Sequence, residues 1–385
     1  MAAARALRIG PIQVDPPVVL APMAGVTDSP FRRVCASFGG ALYVSEMVSA
    51  RGLVEGHRGS WEMTRFHPDE AVRSLQLYGT DPAVVTEAVA RLVGEGSVDH
   101  LDLNFGCPAP KVTRNGGGAA LPVKRRLLRA VIRSAVRAAD HGSGGRVPVT
   151  VKFRLGVDDD HLTFLDAGRI AEEEGAAAVA LHARTALDHY GPPARWERIA
   201  ELRAELGSVP VLGNGDVFCA DDAVEMLQRT GCDGVVVGRG CLGRPWLFAE
   251  LDAALHGRTP PAPPQLGEVV DVIRRHAELV VGWEGPRRDG GAPLAGFRKH
   301  LAWYLKGFPV GSELRRAAGQ VRDLTDLAAV VDRLDPDASV PEGSAGFHRS
   351  HSGRLRRVAL PSGWLDDPDE DLHGLVDPEP VVSGG

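Results

Sequence analysis

The chain has 385 residues, 44% of them hydrophobic and 24% charged, with a net charge of −6, figures near the globular average that exclude a wholly disordered chain. Five cysteines without a CxxC pair exclude a disulfide framework and a CxxC-type zinc or iron–sulfur site, so no metal is expected. No run reaches the roughly 18 apolar residues of a membrane span and the first ten residues hold no signal-peptide core, which predicts a reduced, cytoplasmic protein without membrane contact. The charge is uneven: from Trp364 onward there are seven acids and no Lys or Arg, and leaving them out takes the net charge from −6 to +1. The remainder is free to carry a local basic face.

Val18-Val-Leu-Ala-Pro-Met-Ala-Gly-Val26 is an apolar run ended by Pro22 and Gly25, a buried strand leading into a loop. A short helix follows over 30–38, with Ser29 as N-cap and Pro30 at its first position. Strands are expected over 41–47 and 74–79. Asp81-Pro82 then opens a helix with Val84, Val85, Ala88, Val89, Leu92 and Val93 at the helical period. Leu101-Asp-Leu-Asn-Phe-Gly-Cys-Pro108 reads as a fourth strand that breaks at Gly106 and shows an amide, Asn104, and a thiol, Cys107, at its tip. An arginine-rich amphipathic helix over 123–139, a fifth strand over 149–155, a helix over 162–174 and strands over 178–184, 209–215 and 234–240 complete the series. Asp221 or Asp222 is expected to cap the helix between the last two strands.

Eight short apolar runs alternating with helices over about 230 residues match a (β/α)8 TIM barrel in count and length, here assigned to 1–259. A doubly wound sheet is the alternative. Barrel enzymes carry their reactive groups at the C-terminal ends of the strands. Gln76, Asn104, Cys107, Lys152, His182, Asn214 and Arg239 fall at or near those ends. One such residue alone is usually a satisfied core group, and one cysteine alone an inert small hydrophobe; a whole set on one face points to a site. Pro260-Pro-Ala-Pro-Pro264 is a stiff linker. Helical patterns over 266–281, 296–306 and 312–334 then form a small helical domain, 265–335. Gly, Ser, Pro and acid dominate from Pro341, and the tail over 336–385 is expected to be disordered apart from docking of Trp364.

Gly213-Asn-Gly-Asp216 and Gly238-Arg-Gly240 follow the last two strands, where glycine-rich turns opening onto helix N-termini hold phosphate in this fold. Arg239 adds a charge-assisted contact. Gly238-x-Gly240-x-x-Gly243 fits the dinucleotide fingerprint by letter, but it closes a barrel instead of opening a βαβ unit, so a phosphate-bearing cofactor is the better inference. Lys152 is one of five lysines among 44 basic residues. A cation at the end of the fifth strand suits negative charge developing on a bound ring system, as on a reduced flavin. The residues by themselves therefore describe a barrel enzyme with a phosphate-bearing cofactor.

Ala21-Pro-Met-Ala-Gly-Val-Thr-Asp28, Gln76-Leu-Tyr-Gly79, Asp102-Leu-Asn-Phe-Gly-Cys-Pro108 with Lys111, Lys152-Phe-Arg154, His182-Ala-Arg-Thr185, Asn214-Gly-Asp216 and Gly238-Arg239 closely resemble, in order, the motif series of the tRNA-dihydrouridine synthases. Arg298-Lys-His-Leu-Ala-Trp-Tyr-Leu305 resembles the motif of their C-terminal helical domain, particularly in the bacterial B-type branch. The resemblance runs over about 10–334. It implies an FMN-dependent barrel that uses NADPH to reduce the C5=C6 bond of particular D-loop uridines in tRNA. Carried over by position, Pro22, Met23 and Ala24 would contact the flavin edge, and Gln76 and Lys152 would bond its pyrimidine part. His182 would lie beside the ring, and Asn214, Gly215, Asp216, Gly238 and Arg239 would hold ribityl and phosphate. Cys107 matches the family's proton donor; a thiol with an unperturbed pKa of about 8.5 is largely protonated at pH 7 and can act as an acid.

The same resemblance places Asn104 at the uracil edge and makes Lys111, Arg184, Arg298, Lys299 and Trp303 substrate contacts. The wider RNA face would comprise Arg287, Arg288, Arg298, Lys299, Lys306, Arg315 and Arg316, with Trp303 and Tyr304 between them. Arg349, Arg354, Arg356 and Arg357 form a second cluster outside the match. Phe105 stands where methionine is usual, the tail after Leu334 is an addition, and Arg114-Asn-Gly-Gly-Gly118 is richer in glycine than the common pattern, which predicts a more mobile loop around Lys111. Another FMN barrel acting on a small pyrimidine, of the dihydroorotate dehydrogenase kind, would not need the basic helical domain. A catalytically silent tRNA-binding protein would not need Cys107 and Lys152.

Overall fold

The computed structural model describes residues 5–284, 291–340 and 355–370. Within them lie the strands β1 (Leu7–Ile9), β2 (Ile12–Val14), β3 (Val18–Leu20), β4 (Leu42–Ser49), β5 (Ser74–Tyr78), β6 (His100–Phe105), β7 (Val149–Arg154), β8 (Ala178–His182), β9 (Val211–Asn214) and β10 (Gly234–Val237). β3 to β10 close into a barrel in the order β10-β3-β4-β5-β6-β7-β8-β9, every pair parallel. The eight expected strands and the TIM barrel are thus present. β1 and β2 form an antiparallel pair that the sequence did not announce, since three residues are too few to show a period. Leu7, Ile9 and Val14 pack with Val19, Leu42, Ala180, Leu212 and Val236, filling the end of the barrel opposite the catalytic rim.

Parallel strands buried on both faces read as continuous apolar runs, and β8 and β10 do so. β5, β6 and β7 instead alternate. Leu75, Leu77, Leu101, Leu103, Phe105, Val149, Val151 and Phe153 pack outward against the helices in the main core. The intervening Ser74, Gln76, His100, Asp102, Asn104, Thr150 and Lys152 share the opposite face, which is the barrel interior. One side of this barrel is therefore polar inside, and every such group needs a partner.

Several helix ends differ from the sequence reading. Asp28, not Ser29, caps the helix Ser29–Ala36: its carboxylate accepts from the Phe31 N–H at 2.9 Å, while the Ser29 hydroxyl donates to Glu70 at 2.6 Å. The helix Ala220–Thr230 starts from Cys219, and Asp222 reaches back to accept from the N–H groups of Phe218 and Cys219. The expected helix over 312–334 is two helices, Ser312–Ala318 and Leu324–Val331, because Asp323 accepts from the Asp326 N–H at 2.9 Å and starts a new one.

These two helices join Leu266–Glu284 and Arg298–Tyr304 around a cluster that includes Leu266, Ile273, Phe297, Leu301, Tyr304 and Leu327. The Arg298–Tyr304 helix seats directly on the barrel at Gly243, where a Cβ would lie 2.3 Å from the Trp303 carbonyl carbon. Of the tail, residues 355–370 lie against the barrel and bury Trp364, the docking that the sequence allowed. Arg287, Arg288, Arg349 and Arg354 lie outside the described residues. No helix among the described residues is long and apolar enough to cross a membrane.

Glu70 ties the first loop to this frame. Its buried carboxylate accepts from Ser29 Oγ, from Arg32 Nε at 2.6 Å and Nη2 at 3.0 Å, and from the His67 N–H. Glu70→Ala strands the Arg32 charge, whose side chain is only 3% exposed. It should cost about 3–5 kcal/mol in urea unfolding; a loss below about 1 kcal/mol would show that the pair contributes little.

Candidate active site at the barrel mouth

The C-terminal ends of the barrel strands open on a cavity of about 390 Å³. Pro22, Met23, Ala24, Gln76, Asn104, Cys107, Lys152, His182, Arg184, Asn214, Gly215, Asp216, Gly238 and Arg239 all line it. Trp303 closes one wall from the helical region. Lys111, Arg298 and Lys299 do not line it. Lys111 is exposed beside the Cys107 turn, Arg298 Nε donates to the Val321 carbonyl at 2.7 Å, and the exposed Lys299 bonds the Gly25 carbonyl of the first loop.

A chain of hydrogen bonds forms the polar side of the barrel interior. Thr150 Oγ1 donates to Asp102 Oδ1 at 2.6 Å and Gln76 Nε2 to Asp102 Oδ2 at 2.7 Å. Because the Thr150 proton goes to the carboxylate, its oxygen accepts from His100 Nε2 at 3.0 Å, which leaves His100 Nδ1 to accept from Ser74 Oγ at 2.7 Å. Burial holds His100 neutral, its pKa brought down to about 3. On the other branch Asn104 Nδ2 donates to Gln76 Oε1 at 2.8 Å. Asn104 Oδ1 then accepts from the N–H groups of Gly106 at 3.1 Å and Cys107 at 2.9 Å. With its second N–H on Met47 Sδ, Asn104 is committed to the turn that carries the thiol.

Lys152, Arg154, Arg184 and Arg239 line the cavity, and Asp216 is the one carboxylate among the lining residues. Asp216 has a left-handed backbone, φ 55°, and takes a two-pronged contact from Arg184 Nη2 at 2.7 Å to each oxygen. Arg239 stands 3.5 Å from it and lies over the Tyr190 ring. Burial lowers the Lys152 pKa to about 8, with Arg154 adding to the shift and Asp102 opposing it, and no side chain or carbonyl among the described residues accepts from its ammonium. Burial and the surrounding cations push His182 well below the ordinary histidine value, so it is neutral. A cavity with this charge balance, an ammonium that no described protein group accepts from, and glycine backbone on its wall at Gly215 and Gly238 fits a ring-bearing phosphate ester. Among the described residues no group of three or more His, Cys, Asp or Glu is placed to hold a metal ion.

The Cys107 turn is held from both sides. Arg154 Nε donates to the Gly106 carbonyl at 2.9 Å, and its Nη1 reaches the Thr185 and His189 carbonyls at 2.9 Å each. The thiol pKa is raised, burial outweighing the Ala109 N–H, Arg154 and Lys111. Asp102 and Arg154 stand inside the quoted motifs, but sequence reasoning gave them no role. Their signal was the period of two, which puts Asp102 on the face of Asn104 and Arg154 on the face of Lys152. Tyr190 and His189, also on the cavity wall, left no signal. Two members of the expected RNA face are otherwise engaged: Tyr304 is fully buried, and the Arg315 guanidinium caps the carbonyls of Leu305, Phe308 and Val310.

Fold and cavity together define a (β/α)8-barrel enzyme whose rim presents a thiol of raised pKa beside a cluster of cations. The chain belongs to the dihydrouridine synthase family: the model of that family, "Dihydrouridine synthase (Dus)", matches residues 19–338. A "Probable tRNA-dihydrouridine synthase" of Mycobacterium tuberculosis is 55% identical over 372 residues, covering 95% of this chain and 94% of that protein. A protein of the same description from Mycobacterium leprae is 52% identical, covering 95% of this chain and 100% of that one. One from Rickettsia conorii is 36% identical, covering 85% and 95%. Among solved structures, histamine dehydrogenase from Rhizobium sp. 4-9 shares the fold with a TM-score of 0.52 at 12% identity; the match covers 85% of this chain and 63% of that one, just under two thirds of its length.

The direction of the Cys107 shift has a measurable consequence. Alkylation by iodoacetamide, mapped to Cys107 by peptide mass spectrometry, should keep rising with pH past the ordinary thiol value of about 8.5. A plateau already reached by about pH 8 would mean a thiolate-stabilising site instead.

Proposed function

We propose that this protein is an FMN-dependent tRNA-dihydrouridine synthase that reduces the C5=C6 bond of D-loop uridines in tRNA, with NADPH as reductant, in the cytoplasm where its substrate is. The observation that carries the reading is a thiol, its pKa raised by burial, on the wall of the same cavity as four cations and a single carboxylate. The names of relatives that align along nearly their whole length support the substrate assignment.

In this reading Arg239 and the backbone at Gly215 and Gly238 hold the phosphate, and Asn214 and Asp216 the ribityl chain. Lys152 and Gln76 face the pyrimidine part of the ring, Pro22, Met23 and Ala24 its edge, and neutral His182 its flank. When bound, FMN reduced by NADPH supplies the hydride that adds to uracil C6. Cys107 Sγ–H gives its proton to C5, and solvent returns a proton to the thiolate. The uridine leaves its stack to enter the cavity, as base-modifying enzymes require. Lys111 beside the turn, Arg298, Lys299 and Trp303 meet the RNA. Arg184, held by Asp216, bounds the pocket for the base, and Asn104 serves the base indirectly by fixing the Cys107 turn.

The purified protein is expected to be yellow with bound FMN. Given unmodified tRNA and NADPH it should form dihydrouridine detectable by nucleoside mass spectrometry; no dihydrouridine from a flavin-loaded protein would refute the substrate. Cys107→Ala should keep the colour and flavin reduction but lower tRNA reduction by about 10²-fold or more, the scale of a lost general acid. Full activity in that variant would remove Cys107 from the chemistry. Activity should also fall steeply as salt rises through loss of phosphate contacts, whereas a flat salt response would indicate a small substrate.

A further inference from the structure

Two departures from the family pattern, the glycine-rich stretch Arg114-Asn-Gly-Gly-Gly118 and the segment beyond residue 338 where the family match ends, pack against each other. Residues 355–370 form a strap along the rim of the mouth. Near its start the Arg356 N–H donates to the Leu187 carbonyl at 3.1 Å, in the loop that carries His189 and Tyr190. Near its end the Trp364 indole N–H donates to the Ala120 carbonyl at 2.8 Å, and the Arg125 N–H to the Pro368 carbonyl at 2.9 Å. Lys124, with no exposed surface, donates to the Asp367 carbonyl and to Glu370 at 2.7 Å each, its ammonium 5.4 Å from the indole centre. Arg125 adds an ion pair with Asp369 at 2.8 Å.

The segment so clamped is the return of the Cys107 turn. The Ala119 N–H donates to the Cys107 carbonyl at 3.0 Å. At Gly118, φ +54°, a Cβ would lie 2.4 Å from that same oxygen, and at Gly116, φ +72°, it would lie 2.3 Å from an indole carbon of Trp364. Gly116 thus receives the indole and Gly118 receives the Cys107 backbone, with one residue between them. The extra glycines do not loosen this loop; they make room for the strap. The mycobacterial matches, at 95% coverage, run into the strap.

We infer that Trp364 is a positioning residue for the reaction: the strap over 355–370 clamps the loop after β6 from outside and so fixes the Cys107 thiol on the cavity. The clamp is a property of the chain alone; its effect on uridine reduction rests on the proposed function. Among the described residues none of its hydrogen bonds runs to the helical region, so its loss is expected to act on proton donation and not on tRNA docking.

The test uses the full-length, FMN-loaded protein with Trp364→Ala and Trp364→Phe. Two readouts are followed: the alkylation rate of Cys107 mapped by peptide mass spectrometry, and stopped-flow rates of flavin reduction by NADPH and of reoxidation by tRNA. Trp364→Ala should raise Cys107 alkylation about tenfold and slow tRNA-dependent reoxidation about tenfold or more, the scale of a displaced reacting group. Flavin reduction and the KM for tRNA should stay within about twofold, and Trp364→Phe should fall between. A folded Trp364→Ala protein with unchanged alkylation and reoxidation overturns the inference. If that variant does not fold, Asp369→Asn with Glu370→Gln, both exposed, replaces it with the same expectations and the same refuting outcome. A wild-type chain that fails to reduce tRNA while alkylation still depends on Trp364 leaves the clamp and removes the proposed function. Normal tRNA reduction indifferent to the strap does the reverse.

Discussion

A buried carboxylate, Asp102 on β6, sets the polarity of the barrel interior. It can only accept, and it is 4% exposed, so its donors must come from the neighbouring strands. β5 supplies Gln76 and β7 supplies Thr150. Once the Gln76 amino group points at the carboxylate, its carbonyl has to face Asn104, and the Asn104 carbonyl has to face the Gly106 and Cys107 N–H groups. The orientation of three successive groups follows from one charge, and the last of them shapes the turn that bears the thiol. Burial raises the Asp102 pKa while Thr150, Gln76 and Lys152 act against it. The bonds that the carboxylate orients are thus the ones that favour its ionised form against burial.

The rest of the cavity has an unbalanced charge pattern. Concentrating Lys152, Arg154, Arg184 and Arg239 around His182, with Asp216 the one carboxylate on the wall, costs free energy in a low-dielectric mouth. The cost shows in the neutral His182 and in the lowered Lys152 and Arg239 values, for each of which burial is the leading cause. Arg184 and Asp216 offset part of it by forming a partly buried two-pronged pair. What remains is a positive field that an anionic ligand would neutralise, and the parallel strands deliver every contributor to one rim.

This geometry divides what the sequence could and could not announce. Strand-end residues were legible because a parallel barrel turns strand order into a ring, so Gln76, Asn104, Cys107, Lys152, His182, Asn214 and Arg239 meet without further information. Asp102 and Arg154 were legible in principle through the period of two. The caps were not: whether Asp28 or Ser29 starts a helix depends on Glu70, some 40 residues on, which takes the Ser29 hydroxyl. Nor was the engagement of Arg315, which looks in sequence like any RNA-facing arginine but spends its guanidinium on three backbone carbonyls. Asn104 was legible as a strand-end residue, but not the commitment of its amide to Gln76, Met47 and the turn. The glycine-rich loop read as mobile because a sequence shows the absent side chains and not the indole that fills their space.

Position and protonation of Cys107 have a common origin in this arrangement. A thiol on a turn flanked by Gly106 and Pro108 would be solvated and would titrate near its ordinary value if the turn were free to open. Here Asn104 and Arg154 hold the turn from the barrel side, and Ala119 and Gly118 close on the Cys107 carbonyl from the loop side. The enclosure that results is what raises the thiol pKa, because burial is the leading cause and the nearby cations pull the other way. Cations beside a cysteine ordinarily make a thiolate nucleophile. In this cavity burial outweighs them, and closure of the loop favours the protonated thiol, which is the state the proposed proton donor would need.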